Sequence, residues 1–325
     1  MIRAARWLML ILAARYMAAC TPTVRPTLMP FDAPLAELWQ RPHDLASRDL
    51  YYGPWGSEHA PDPDATYTFV AQKKNGLTNG YNPGVVVIDP EGRRWHVKQA
   101  SHDKDCVEGP VEVAVSRVLS AIGYHQPPVY FLPMFTMRDR SGTHSTPGGR
   151  FRLDVKSLKH IDQWSWQRNP FVGMRPYQGL LAILVMFNSS DLKNVNNVLY
   201  ELTKVDGGID RWFVVRDLGA SLGETAHLFP RCGNPDLFER EPFIAGVKNG
   251  FVDFNYHAWH QELLRSRITA GDVRWASELL AGLSDRQWAD AFRAGGYEPA
   301  VASRFIARLH EKINDGLKIG DDEGE

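Results

Sequence analysis

Between Pro176 and Asn188 the chain reads PYQGLLAILVMFN, a run that is apolar nearly all the way round a helix. A helix with one apolar stripe can lie on a surface, whereas one apolar on every side has to be enclosed. The run is too short to cross a bilayer, so protein must enclose it. With 325 residues, 44% of them apolar and 23% charged, the chain can build such a body as one two-lobed domain or two modest ones. Ten tryptophans, most of them after residue 150, point to a large packed core in the second half.

Ahead of the buried run the pattern is strand-like. A β-like segment starts at Thr66, the Gly- and Asn-rich stretch NGLTNGYNPG follows, and GVVVIDPEGRRWHVKQ reads as a hairpin around Asp89-Pro90-Glu91-Gly92. Pro110 opens a helix with an apolar stripe of Val111, Ala114, Val115, Val118, Leu119 and Ile122, closed by Gly123. PPVYFLPMF predicts another strand, Asp139 to Arg150 a polar loop, and FRLDV a short strand. After the buried helix, NVLYEL and RWFVVRDL form a second hairpin around Asp206-Gly207-Gly208. From Asn255 the pattern is helical to the end, with Ser284-Asp285 as an N-cap. This order predicts an α+β chain, with a small β-rich lobe at 65–155 and a larger helical lobe at 156–325. Residues 21–64, rich in Pro, Asp and Gly, are expected to form an extended, partly ordered linker that drapes over the folded body.

The first 20 residues look like a targeting segment. Arg3 and Arg6 precede an apolar stretch from Trp7 to Ala14, and Ala18 and Ala19 precede Cys20. Met-Ala-Ala-Cys resembles a bacterial lipobox, although Tyr16 and Met17 are unusual there. The expectation is a lipoprotein of the cell envelope, attached to the membrane through a lipidated Cys20. The alternatives are a secretory signal without lipid and a plain extension on a cytoplasmic protein. Cys106 and Cys232 form no disulfide framework and no zinc spacing, and are expected to be free thiols. A net charge of -1 excludes a nucleic-acid footprint.

Three polar constellations carry chemistry. In SSDLKNVNNVLYEL, Asp191 is followed by Lys193 and Asn196 on one short loop. A carboxylate that can take a hydroxyl proton, a cation, and an amide oxygen for a metal are what phosphoryl transfer requires. Taken alone, this spacing also describes a solvated turn. Arg216-Asp217-Leu218-Gly219 ends the second hairpin, where a carboxylate freed by glycine can ligate Mg²⁺, or can simply form a turn. Lys98 lies in the strand WHVKQ, and an inward lysine must be paired. Glu112 in the next helix is one partner and Glu108 its rival. His257 and His260 lack a third ligand, and no serine sits in a G-x-S-x-G elbow.

Taken in order, these segments resemble an atypical protein-kinase-like fold, nearer to the phosphoinositide-kinase-like and HipA-like branches than to conventional kinases. VEVAVSRVLSAIGYHQPPVYFLP, NPFVGMRPYQGLLAILVMFNSSDLKNVNNVLYEL and RWFVVRDLGASLGE also resemble an uncharacterised bacterial group of this type. The likeness covers about residues 65–260 and implies a bilobal protein that binds ATP and Mg²⁺. It implies that Asp191 is the catalytic base and that Lys193 neutralises the transferring phosphoryl group. Asn196 and Asp217 would bind metal, and Lys98 with Glu112 would form the nucleotide-anchoring ion pair.

The departures from that pattern are specific. Ser189-Ser190 replaces His-Arg before Asp191, Leu218 replaces Phe, no Ala-Pro-Glu follows, and Gly76, Gly80 and Gly84 do not match G-x-G-x-x-G. Transfer of a γ-phosphoryl group to the hydroxyl of a protein or small-molecule acceptor is therefore the first expectation. A lipid-anchored pseudokinase-like binding or scaffold protein without catalysis is the second. An unrelated α+β protein with chance motif matches is the third.

Overall fold

The period-two pattern of WHVKQ is realised in the computed structural model, which describes residues 36–72, 83–99, 106–225 and 231–320. The described residues belong to one compact unit, Ala33–Glu325. The targeting segment with Cys20, the linker up to residue 35, Gly76 and Gly80 lie outside them.

A two-residue strand β1 (Ala36–Glu37) comes first. The strands β2 (Thr66–Gln72), β3 (Gly84–Ile88), β4 (Arg94–Gln99), β5 (Val129–Asp139) and β6 (Gly142–Leu153) then close into a barrel of order β2-β3-β4-β6-β5. Neighbours run antiparallel except β2 and β5, which are parallel. Tyr67, Val87, Trp95, Val97, Phe135 and Phe151 fill its interior. Because side chains alternate along a strand, placing Trp95 and Val97 inside sends His96 and Lys98 outside. The Asp89 turn is held by its own carboxylate, which accepts from the Arg93 N–H at 2.7 Å and the Trp95 indole at 2.8 Å.

The stretch 139–150, expected to be a loop, is instead the far half of a long hairpin. Only Arg140 and Ser141 turn, and Asp139 accepts from the Ser141 N–H at 2.7 Å. The misreading has a physical cause. Residues 142–145 project into solvent, so they carry no apolar alternation to mark a strand. Gly148 and Gly149, which read as loop residues, lie where backbones nearly touch. A Cβ on Gly149 would collide with the Lys98 carbonyl.

Helix α1 (Glu108–Ala121) begins two residues before the expected Pro110 and is buried over nearly its whole length. A sheet of order β1-β9-β8-β7 combines β1 with β7 (Leu158–Gln163), β8 (Asn197–Thr203) and β9 (Ile209–Val215). The all-apolar run forms α2 (Arg175–Met186), in which Leu181, Ala182, Ile183, Leu184 and Met186 are fully enclosed. A short helix α3 (Pro235–Phe238) and a hairpin of β10 (Ile244–Lys248) and β11 (Phe251–Phe254) follow. The chain then forms α4 (Ala270–Ala281), α5 (Asp285–Ala294) and α6 (Pro299–Lys318). Ser284 caps α5 in a reciprocal capping box with Gln287, as its position before a helical pattern implied. Among the described residues, no helix is long and apolar enough to cross a membrane.

Residues 36–64 lie against the body: Leu38 and Leu50 are buried, and Arg48 Nη1 donates to the Ser120 and Ala121 carbonyls at the end of α1. One expectation is corrected: Cys106 and Cys232 form a disulfide, with Cα atoms 4.5 Å apart. Their separation of 126 residues hid the pairing, because only the tertiary fold brings the start of α1 beside the segment before α3.

Candidate functional site

Lys98 leaves the barrel on the side covered by α1. Its ammonium is 2.5 Å from Glu108 Oε2, 3.6 Å from Asp217 Oδ1 and 3.8 Å from Glu112 Oε2. Register pairs Lys98 with Arg150 on β6, and Arg150 joins the same cluster. Its Nε is 3.0 Å from Glu112 Oε1, and its Nη2 is 3.8 Å from Asp217 Oδ1. The expected Lys98–Glu112 pair is thus one contact in a five-residue network. In it the rival Glu108 lies nearest the lysine, and Glu112 lies nearer Arg150.

Burial alone would strip the proton from Lys98, but Asp217, Glu112 and Glu108 outweigh it and push the ammonium above its ordinary value. The same balance runs in reverse at Asp217. Loss of solvent would raise its carboxyl, and the Lys98 and Arg150 charges hold it well below the usual carboxylate range. Lysine and aspartate are therefore both charged at neutral pH.

Asp217 is reached through a turn that few residue types could make. It adopts a φ of 54°, a left-handed conformation that Asp tolerates better than most side chains. Gly219 follows because a Cβ there would lie 2.7 Å from the Glu108 Cβ. The glycine of the D-L-G string lets this turn press against the start of α1.

Asp191 sits on the loop after α2. Its Oδ1 is 2.7 Å from Lys193 Nζ, and its Oδ2 accepts from Asn196 Nδ2 at 3.1 Å. Asn196 Nδ2 also donates to the Asp191 carbonyl, and among the described residues no donor reaches the amide oxygen Oδ1. The same Lys193 ammonium lies 5.1 Å from the Trp259 ring centroid, so ring and carboxylate hold it together.

The Asp191 loop and the Asp217 turn are laced together. Asn196 O accepts from Arg216 N at 3.0 Å, Ala220 O from Ser190 N at 2.9 Å, and Phe187 O from Leu222 N at 2.8 Å. Asn188 donates its side-chain amide to Gly223 O at 2.7 Å. An unbroken chain of contacts therefore runs from Lys98 through Asp217, Arg216 and Asn196 to Asp191. Of the six residues singled out in the sequence, Lys98, Asp217, Asn196 and Asp191 lie on it, Glu112 branches from Lys98 and Lys193 from Asp191.

Mg²⁺ takes oxygen ligands and usually keeps several waters. Asn196 Oδ1, which accepts no hydrogen bond among the described residues, and the ionised Asp217 carboxylate suit such an ion. Among the described residues, no group of three or more His, Cys, Asp and Glu could hold a metal. A cation here would therefore need further oxygens from its ligand or from water.

Sequence reasoning missed Arg150 and underrated Glu108. The signal for Arg150 was present in RFRLD, where Arg150 and Arg152 alternate with Phe151 and Leu153, but it was hidden by reading residue 150 as the end of a loop.

No family model and no curated protein matches the sequence. Among solved structures the chain is similar to the Helicobacter pylori proinflammatory kinase CtkA, at 11% identity and a TM-score of 0.34, over 79% of this chain and 100% of that one. It is also similar to the Chaetomium thermophilum Rio2 kinase in its ADP/Mg²⁺–phosphoaspartate complex. There the identity is 13% and the TM-score 0.32, over 77% of this chain and 72% of that one. Likenesses this slight carry no chemistry, and what the site can do rests on its own side chains.

Proposed function

We propose that the chain is a bilobal, protein-kinase-like phosphotransferase that binds ATP with Mg²⁺ and transfers the γ-phosphoryl group to a hydroxyl acceptor. One observation carries the reading: Lys98, the Asp217 turn and the Asp191–Asn196 loop, three constellations far apart in the chain, are joined by contacts that pass through Arg216. In this reading the barrel is the small lobe and the helices from α2 onward are the larger one.

Lys98, held by Glu108 and Glu112, binds the nucleotide phosphates as a fixed positive charge. Asn196 and Asp217 hold Mg²⁺, which neutralises charge on the phosphate oxygens. Asp191 orients the acceptor hydroxyl and takes its proton. The acceptor oxygen forms a bond to the γ-phosphorus as the bond from that phosphorus to the bridging oxygen breaks, and ADP leaves with that electron pair. Lys193, whose ammonium lies 2.7 Å from Asp191 Oδ1, supplies positive charge beside the moving phosphoryl group.

The same reading places the protein in the cell envelope, anchored through Cys20. The Cys106–Cys232 bridge supports an oxidising compartment, because such bonds persist outside the reducing cytosol. Fractionation of cells carrying Cys20→Ala tests this. An unchanged membrane fraction removes the anchor.

A thermal-shift titration with ATP and Mg²⁺ tests the central claim. A ligand that binds only the folded state must stabilise it. Stabilisation by ATP with Mg²⁺ that is lost in Lys98→Met is the expected result. No shift in the wild-type protein at millimolar nucleotide overturns the reading.

A further inference from the structure

Among the described tryptophans Trp259 alone is exposed, at 40%. A single exposed aromatic is ordinary on a protein surface, but this one is fixed beside the Asp191 loop. Its ring centroid lies 5.1 Å from Lys193 Nζ, which is itself 2.7 Å from Asp191 Oδ1. Trp259 N donates to Ser190 O at 3.4 Å, and the Tyr256 hydroxyl donates to Ser189 O at 2.7 Å. The indole is thus held on the Oδ1 side of Asp191. Asn196 occupies the other side, donating to Oδ2 at 3.1 Å, and leads on through Arg216 to the Asp217 turn. The carboxylate therefore has the proposed metal ligands on one side and an aromatic ring on the other.

A belt of polar side chains flanks the ring. His260 adopts a φ of 58°, a left-handed conformation in which histidine is found more often than most residues. Its Nδ1 lies 2.6 Å from Glu262 Oε1 and 3.1 Å from Gln167 Nε2. Gln167 Oε1 accepts from Asn194 Nδ2 at 3.1 Å, and Asn194 Oδ1 accepts from Trp166 N at 2.9 Å. The belt of Glu262, His260, Gln167 and Asn194 therefore runs from the Trp259 turn to the Asp191 loop and fixes its own orientation. It stays open to water: the Glu262 side chain is 55% exposed and that of His260 25%. Among the described residues no hydrogen-bond partner reaches His260 Nε2.

We propose that Trp259, with Gln167, His260 and Glu262, forms the acceptor subsite, and that the acceptor is the neutral ring of a sugar. The proposal rests on the phosphotransferase reading. Three features select this class. The face of an indole is the negative side of its quadrupole, and the weakly positive C–H groups of a sugar ring pack against such a face. The belt offers a carboxylate, an imidazole and an amide, already oriented, to hydroxyls that both donate and accept. On this rim Asp191 and Glu262 stand against the one ammonium of Lys193, which disfavours an acceptor that bears a phosphate or carboxylate. Only that ammonium separates ring from base, so a sugar stacked on Trp259 brings a hydroxyl to Asp191. Asp191 takes the hydroxyl proton and the sugar oxygen bonds to the γ-phosphorus. ADP leaves with the electron pair of the broken bond to the bridging oxygen.

The test is saturation-transfer NMR of the full chain with neutral hexoses and N-acetylhexosamines, as mono- and disaccharides, read alongside ADP release with ATP and Mg²⁺. At least one saccharide takes up saturation on its C–H protons, and the same saccharide stimulates ADP release. Trp259→Ala weakens its binding and raises its KM roughly 10- to 100-fold, the loss expected for one stacked ring, and Trp259→Phe restores most of it. Glu262→Gln, at a side chain open to water, weakens binding as well and serves should Trp259→Ala fail to fold. Saturation of no saccharide in the panel, or binding undiminished in both Trp259→Ala and Glu262→Gln, overturns the subsite. A fall in kcat with KM unchanged overturns it too, because Trp259 would then act only through Lys193. So does transfer to serine- or threonine-containing peptides with none to saccharides. Saccharide binding that needs Trp259, with no ADP release from ATP–Mg²⁺, supports the sugar site and sinks the phosphotransferase reading.

Discussion

Lys312 Nζ lies 2.8 Å from Asn188 Oδ1, inside the helical body and fully enclosed. The same nitrogen donates to Met186 O at 3.2 Å and sits 4.3 Å from the Phe238 ring centroid. Helix α6 thereby braces the end of α2 at the point where the Asp191 loop begins, and Asn188 passes that brace to Gly223.

Replacing Lys312 with Met leaves two buried acceptors without a donor. The expected cost is about 1–3 kcal/mol of stability, measured by urea unfolding. Burial also pushes the Lys312 ammonium well below its ordinary 10.5. The unfolded chain then binds a proton that the folded chain does not, so stability rises with pH below 10.5 until the unfolded lysine has titrated. Lys312→Met should flatten that rise, and an unchanged slope would show that Lys312 is charged in place.

Asp191→Asn keeps the shape of the loop and removes the base. Turnover, measured as ADP release, should fall roughly 10²- to 10⁴-fold, with ATP–Mg²⁺ affinity by calorimetry nearly unchanged. Equal turnover in the variant would take Asp191 out of the mechanism.

Acid should weaken the fold in two separate windows. His96 is lowered from 6.5 to about 4, so the unfolded chain takes up its proton first and stability falls as pH drops through that interval. Asp217 is lowered from 3.8, so its contribution is present above 3.8 and is lost as pH falls below it. His96→Gln should remove the first slope and Asp217→Asn the second, read as unfolding free energy against pH. Identical pH profiles for wild type and variants would contradict both shifts.

The Cys106–Cys232 bridge ties the approach to α1 to the segment before α3, across 126 residues. Reduction, or Cys106→Ser, should cost about 2–5 kcal/mol of stability by urea unfolding. A reductant should then have no further effect on the variant. Equal stability of oxidised and reduced protein would mean that the loop is already closed by packing.

What could be read directly was whatever is encoded locally. The all-apolar run of α2 demanded enclosure, WHVKQ marked a strand that carries Lys98, and Ser284 marked the start of α5. The offsets within Asp191, Lys193 and Asn196 were legible because one short loop holds all three. Tertiary structure alone decided what faces what. Lys98, expected to face inward, points out of the barrel beside Arg150, and nothing local says that Glu108, Glu112 and Asp217 wait there. The disulfide and the contacts that hold residues 36–64 against the body share that origin. Each depends on segments far apart in the chain, and local periodicity carries no record of its distant partners.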